Sequence, residues 1–169
     1  MAGMINKVKN WIERNHLIVG GDRVLAACSG GPDSVVLVHI LHALTGDLGF
    51  QLKVAHVDHM LRGEASRADA AFVEAMCRSM GIPCYCTAVD VRREVRRGGG
   101  SEEEVARKLR YAFLQQVAAE WGGAKIATGH HLDDQAETVL INLLRGAGST
   151  GLRGMQPKNG NIIRPLLNV

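Results

Sequence analysis

Aromatic residues are scarce in this chain: three Phe, two Trp and two Tyr in 169 residues. Its core must therefore be aliphatic, built largely from Ala, Val and Leu. No apolar run approaches the ~18 residues of a membrane span. Lys7 and Lys9 are followed by no apolar stretch, so neither a membrane helix nor a secretory leader is expected. Cys28, Cys77, Cys84 and Cys86 show no disulfide-framework spacing, and a chain of this length has no need of one. Reduced, buried thiols and a cytoplasmic location are the expectation. Cys84-x-Cys86 falls one residue short of Cys-x-x-Cys, and residues two apart in a strand share a face. Core packing and a metal or redox role both remain open there.

Acid is missing from the last stretch. No Asp or Glu follows Glu137, while Arg145, Arg153, Lys158 and Arg164 do. A second basic cluster, Arg92, Arg93, Arg96 and Arg97, stands before Gly98-Gly99-Gly100. Either can meet a nucleic-acid backbone or simply face water, and a net charge of +3 is too small to settle it.

The hydrophobic fraction of 46% and charged fraction of 22% are those of an ordinary globular protein, at about one domain's length. Helices are predicted over Met4–His16, from Val35 to near Gly46, over Arg67–Met80, from Ser101 to Gly122-Gly123, and over Asp134–Arg145. Arg67–Met80 should bury Phe72, Met76 and Met80; the helix after Ser101 should bury Val105, Leu109, Phe113 and Val117. Ser101 to Glu104 reads as a capping box. Strands are predicted over Arg23–Cys28, Leu52–Val57, Pro83–Val89 and Ala124–Thr128, with a short one at Ile162-Ile163. Alternating strands and helices imply an α/β fold: a doubly wound, mostly parallel sheet with helices on both faces. Ligands of such sheets bind beyond the carboxyl ends of the strands. That rule gathers Ser29–Ser34, His56–Arg62 and Gly129–Glu137 at one edge. Gly98–Gly100 and Gly146–Gly160 are the expected flexible places.

Ser29-Gly30-Gly31-Pro32-Asp33-Ser34 joins the first strand to the next helix. A glycine turn leading into a helix N-terminus offers unpaired N–H groups and the positive end of the helix dipole to a phosphate. Pro32 loses nothing at the first helical position. Ser29 and Ser34 add hydroxyl donors. The lysine of a Walker A loop is absent. Asp33 would repel a polyphosphate unless a cation lies between them, so a nucleotide here implies Mg²⁺. An ordinary β-to-α turn uses the same residue types.

Gly129-His130-His131-Leu132-Asp133-Asp134-Gln135-Ala136-Glu137-Thr138 opens a later helix. Asp134-x-x-Glu137 reads as a capping box, or as two carboxylates on one helix face for an ammonium group or Mg²⁺. His130, His131 and Asp133, with His56 and His59, also form a weak zinc pattern. Gly146-Ala147-Gly148-Ser149-Thr150-Gly151 matches the dinucleotide fingerprint but follows a helix and has no acid downstream, which excludes a Rossmann dehydrogenase.

The Ser29–Ser34 hexapeptide resembles the PP-loop of the N-type ATP pyrophosphatases, which cleave ATP between its α and β phosphates. More motifs follow in order: Ala55-His56-Val57-Asp58-His59-Met60-Leu61-Arg62, Glu102 to Tyr111, Ala127 to Thr138, Leu143-Leu144-Arg145-Gly146 and Ile163-Arg164-Pro165-Leu166-Leu167. Together they resemble the N-terminal domain of the tRNA(Ile)-lysidine synthetases from residue 20 onward. That resemblance implies one PP-loop domain over 1–169, with the family's tRNA-recognition domains lying outside it. The implied activity adenylates the wobble cytidine of tRNA(Ile) with a CAU anticodon at its C2 oxygen. Free L-lysine then displaces AMP. ATP and Mg²⁺ would be the cofactors. Ser29, Gly30, Gly31, Pro32, Asp33 and Ser34, with His56, would hold the nucleotide, Asp33 also placing the metal. Arg110, Asp134 and Glu137 would handle lysine beside His130. Asp58 stands where the family usually has Asn. The alternatives are a PP-loop tRNA thiolase, which would need cluster or persulfide cysteines, and a nucleotide-binding module without catalysis.

Overall fold

The computed structural model describes residues 2–146 and 153–169. Its elements run α1 (Ala2–Arg14), β1 (Arg23–Ala27), α2 (Pro32–Leu48), β2 (Gln51–Asp58), α3 (Glu64–Met80), β3 (Cys84–Ala88), α4 (Val91–Gly98), α5 (Glu102–Glu120), β4 (Lys125–Ala127), α6 (Leu132–Leu144), β5 (Lys158–Asn159) and β6 (Ile162–Ile163).

The sheet order is β3-β2-β1-β4-β6-β5. All pairs are parallel except β5 with β6. This is the expected doubly wound sheet. From β1 the chain moves outward to β2 and β3, then returns to lay β4 on the other side of β1. The carboxyl ends of β1 and β4 therefore flank a crevice at the point where the winding reverses.

Both faces are covered. Val24, Ala26 and Val54 pack with Leu37, Leu41, Val73 and Cys77 of α2 and α3, joined by Val8 and Ile12 of α1. Leu25, Ala55 and Ile126 point the other way, onto Leu114, Val117 and Ala118 of α5. Period-two alternation along β1 thus splits one strand between two cores, which is why the strand reads as continuously apolar.

Several boundaries differ from expectation. α2 runs through Gly46 and stops at Gly49, whose φ of +67° makes the left-handed cap that only glycine adopts cheaply. On α3, Phe72 is half-exposed, and Val73, Met76 and Cys77 form the buried stripe instead. The buried stripe of α5 is likewise displaced, to Leu114, Val117 and Ala118, with only Val117 of the expected set fully buried. The Ser101 capping box forms as read. The arginine cluster at 92–97 lies on α4, a helix the sequence did not announce; Asp90 caps it by accepting from Arg93 N at 2.9 Å.

Cys86 is exposed and Cys84 half-buried, because β3 is the edge strand. The expectation of four buried thiols therefore fails there, although the two sulfurs do share a face, 3.6 Å apart. Arg164, read as part of a basic surface, is buried and donates from Nη1 to Gln156 O at 2.6 Å. Of the Gly146–Ser149 and Thr150-Gly151 fingerprint, all but Gly146 lies outside the described residues, as does the first part of the Gly146–Gly160 stretch.

Candidate active site

The turn after β1 is stapled by one hydroxyl. Ser34 Oγ accepts from Ser29 N at 3.1 Å and donates to Gly31 O at 2.9 Å. It also lies 3.2 Å from Ser29 Oγ, which in turn accepts from Gly31 N. Gly30 sits at φ +89°, and a Cβ there would come within 3.2 Å of Asp69. Glycine is therefore required twice over, by conformation and by space. Pro32 opens α2 as its first residue, as the sequence implied. Asp33 follows with its side chain 61% exposed, free to meet a ligand.

The turn after β4 reaches the same place. A Cβ on Gly129 would lie 3.3 Å from Ser34 N and 3.4 Å from the Asp33 carbonyl. α6 then starts earlier than expected. Its N-cap is His131, whose Nδ1 accepts from Asp133 N at 3.3 Å, while Asp134 Oδ2 accepts from His131 N at 2.9 Å. The capping box is therefore His131 with Asp134, not Asp134 with Glu137. With Nδ1 accepting, Nε2 of a neutral ring carries the proton. That nitrogen faces two carboxylates, Asp33 Oδ2 at 3.4 Å and Asp134 Oδ2 at 3.6 Å. His131 thus ties the glycine turn to the paired-acid segment. Sequence reading had favoured its neighbour His130.

These turns border a cavity of about 450 Å³. Ser29, Gly31, Asp33 and Ser34 line one side, and His130, Asp134 and Arg110 line another. His56 belongs to it as well: buried, with Nδ1 2.8 Å from Cys28 O and Nε2 buried without a hydrogen-bond partner among the described residues. A carbonyl only accepts, so Nδ1 carries the proton of a neutral ring and Nε2 is an open acceptor beside the cavity. Asp58 and His59 also line it.

Three residues of the expected set stand apart. Gly30 and Pro32 shape the turn without lining the cavity, and Glu137 is exposed on α6 outside the lining. Among the described residues no three His, Cys, Asp or Glu side chains cluster as metal ligands, so the zinc pattern is not assembled. Tyr111, Thr128 and Asp69 were not anticipated. For Tyr111 a signal existed: Arg107, Arg110, Tyr111 and Leu114 recur at one-turn spacing on α5.

Two cavity histidines are held below the ordinary value of 6.5. Burial does most of this for His59, with Arg110 adding to it against Asp58. Burial again leads for His130, reinforced by Arg164, Arg110 and Arg107 and opposed by Asp134. His130 Nδ1 also lies 2.9 Å from Thr128 Oγ1. Both rings resist protonation when folded but not when unfolded. The unfolded chain therefore binds more protons below pH 6.5, and stability falls as pH drops through that value toward the folded-state pKa values. Denaturant melts between pH 7.5 and 5 should show this loss. The double variant His59→Gln/His130→Gln should flatten it, and an unchanged slope would show that other groups set the acid limb.

A profile of the PP-loop domain matches residues 3–169. The chain is 42% identical to a protein of Caldanaerobacter subterraneus named tRNA(Ile)-lysidine synthase, over 99% of this chain and 36% of that protein. It is 47% identical to the protein of the same name from Chlorobaculum tepidum, over 94% of this chain and 49% of the relative. The chain thus spans between about a third and a half of these relatives' lengths. Among solved structures it resembles the U34-tRNA thiolase NcsA of Methanococcus maripaludis with its [4Fe-4S] cluster, at a TM-score of 0.72 and 22% identity over 98% of this chain and 59% of the other. The NH3-dependent NAD synthetase of Campylobacter jejuni superposes with a TM-score of 0.58 at 13% identity, over 99% of this chain and 66% of the other. These two likenesses describe the fold.

Proposed function

This chain belongs to the PP-loop domain family, and from that premise we propose that it is the catalytic core of a tRNA(Ile)-lysidine synthetase, using ATP to join free lysine to the wobble cytidine of a tRNA(Ile) with a CAU anticodon. The observation that carries the reading is the convergence of the Ser29–Ser34 turn and the Asp134 helix on one cavity, bridged by His131. The named relatives support the choice of substrate.

The chemistry is what the resemblance to the tRNA(Ile)-lysidine synthetases implies, and the residues suit it. The cytidine C2 oxygen attacks the α-phosphorus of ATP and pyrophosphate departs. The N-terminal end of α2, with the positive end of its dipole, would stabilise the charge that builds on that leaving group. His56 Nε2 offers the nucleotide an acceptor. The ε-amino group of lysine then attacks C2 and AMP leaves. An amino acid with two ammonium groups and a carboxylate needs acids and an arginine, and Asp134 and Arg110 face the same cavity. Glu137, one turn along α6, is the further acid that the resemblance implies, although it is exposed outside the cavity lining. The amine must lose a proton before it attacks; His130 lines the same cavity, but burial and the nearby arginines make it a weak base.

A magnesium ion fits the residues present. Such ions bind through one or two carboxylates plus substrate phosphates, and no dedicated cage is required. Asp33 supplies an exposed carboxylate at the glycine turn, 3.4 Å from the ring it shares with Asp134. When bound, the ion would neutralise phosphate charge there.

Thiolation finds less support. Among the described residues Cys28 is the only cysteine lining the cavity, and burial raises its pKa, which makes it a poor nucleophile. Calorimetry tests the main reading. The chain should bind a non-hydrolysable ATP analogue with Mg²⁺, and then lysine. Analogue binding without any lysine binding would favour a nucleotide module and overturn the proposal.

A further inference from the structure

The cavity described above shares His59, Leu61 and Arg110 with a second one of about 480 Å³, whose wall carries Arg107. Arg107 and Arg110 lie one turn apart on α5. Their guanidinium carbons sit 5.5 and 5.4 Å from the centre of the Tyr111 ring, so one aromatic ring contacts both. Two carboxylates also line this second cavity, Glu102 and Glu103. Arg92 engages Glu102 at 3.3 Å and reaches Leu61 O at 3.5 Å. That leaves two arginines against Glu103 alone. Among the described residues neither Arg107 nor Arg110 pairs with an acid.

The sign of the local field agrees with that inventory. Arg110 helps to hold down the pKa of His59 on one side of the shared wall, and Arg110 and Arg107 do the same to His130 on the other. The place therefore repels cations and favours an anion. None of the Ser29–Ser34 residues that would take a triphosphate lines the second cavity. A target base that must leave its stack to reach an active site brings flanking phosphates to the mouth of that site. Arginine forks suit phosphate geometry.

We propose that Arg107 grips a backbone phosphate of the RNA strand next to the nucleotide delivered into the first cavity. The inference rests on the tRNA reading given above and adds to it the surface on which the strand lies. Glu103 on the same rim would turn away a strand set in the wrong register, since a phosphate beside it is repelled.

The test is fluorescence anisotropy with a labelled anticodon stem-loop RNA carrying CAU in its loop, at several salt concentrations and with the ATP analogue present. Arg107→Gln should weaken RNA binding about tenfold, and should lower the slope of log affinity against log salt by about 0.7, the value for one lost contact to a single strand. Arg107→Lys should restore the slope and part of the affinity. Binding of the ATP analogue and of lysine, measured by calorimetry without RNA, should stay at the parent level in both variants. RNA binding by Arg107→Gln equal to the parent's overturns the inference, and so does a parent chain that binds no stem-loop. Weakened analogue binding would assign Arg107 to the triphosphate, and weakened lysine binding would assign it to the amino acid's carboxylate; both overturn it too. None of these results bears on whether the first cavity takes ATP and lysine, which the RNA-free measurements decide separately.

Discussion

Asp134→Asn should keep the fold and lose lysine. Asp134 does two jobs that this change separates. Its Oδ2 accepts from His131 N at 2.9 Å and so starts α6. Its charge faces the cavity beside Arg110 and His130. Asparagine retains an acceptor oxygen for the cap but offers no anion to an ammonium group. Removing one partner of a hydrogen-bonded charge pair in a binding site costs about 2–5 kcal/mol. Calorimetry in the presence of the ATP analogue should therefore show lysine affinity lower by at least about thirtyfold, with analogue affinity close to the parent's. Asp134→Ala should show the same loss of lysine binding and a further stability cost of up to about 1 kcal/mol as the cap disappears. A purely capping role makes the opposite forecast: asparagine would bind lysine normally, and only alanine would show a defect. That outcome would remove Asp134 from the lysine site.

The ease of reading different parts of this chain follows from how local their causes are. β1, β2 and the α2 start were legible because strand apolarity, a glycine turn and Pro32 at the first helical position act over a few residues. The right-handed crossover rule then carried local elements to the sheet, and the position of the ligand edge followed. Helix faces were harder. Phe72 and Leu109 are as apolar as their buried neighbours, and only the packing of α3 and α5 onto the sheet decides which stripe is covered. The α6 start was misplaced because histidine is an uncommon N-cap, while Asp134 and Glu137 imitate the usual acidic signature. The bridge from Asp33 through His131 to Asp134 joins residues about a hundred positions apart. Chain spacing carries no record of such a contact. The membrane expectation meets a coarser finding: no helix among the described residues is long and apolar enough to cross a bilayer.

Gly129→Val should separate the two halves of the site by force. Gly129 does not have a positive φ, so a side chain there strains no backbone dihedral. Space is the whole of the constraint. A Cβ would already stand 3.3 Å from Ser34 N and 3.4 Å from the Asp33 carbonyl group, against backbone at the first turn of α2. Those atoms cannot swing aside as the end of a long side chain can. Valine adds two methyl groups to this contact, and overpacking of this kind costs about 1–3 kcal/mol. The cheapest relief is for the Asp33–Ser34 turn to move off the β4 end. That movement breaks the Ser34 staple to Ser29 N and Gly31 O and carries Asp33 away from His131. ATP-analogue affinity should fall by at least about tenfold, and lysine binding should fall with it, because one displacement disturbs both. Gly129→Ala should lie between valine and the parent. Gly46→Ala supplies the control within the same helix. Among the described residues no atom beyond the adjacent backbone of α2 lies within 4 Å of the added methyl, so it should stabilise α2 by up to about 1 kcal/mol and leave both ligands bound as before. If the valine variant bound the analogue and lysine like the parent, the two turns would not need their present contact, and a shared cleft built on that contact would have to be abandoned.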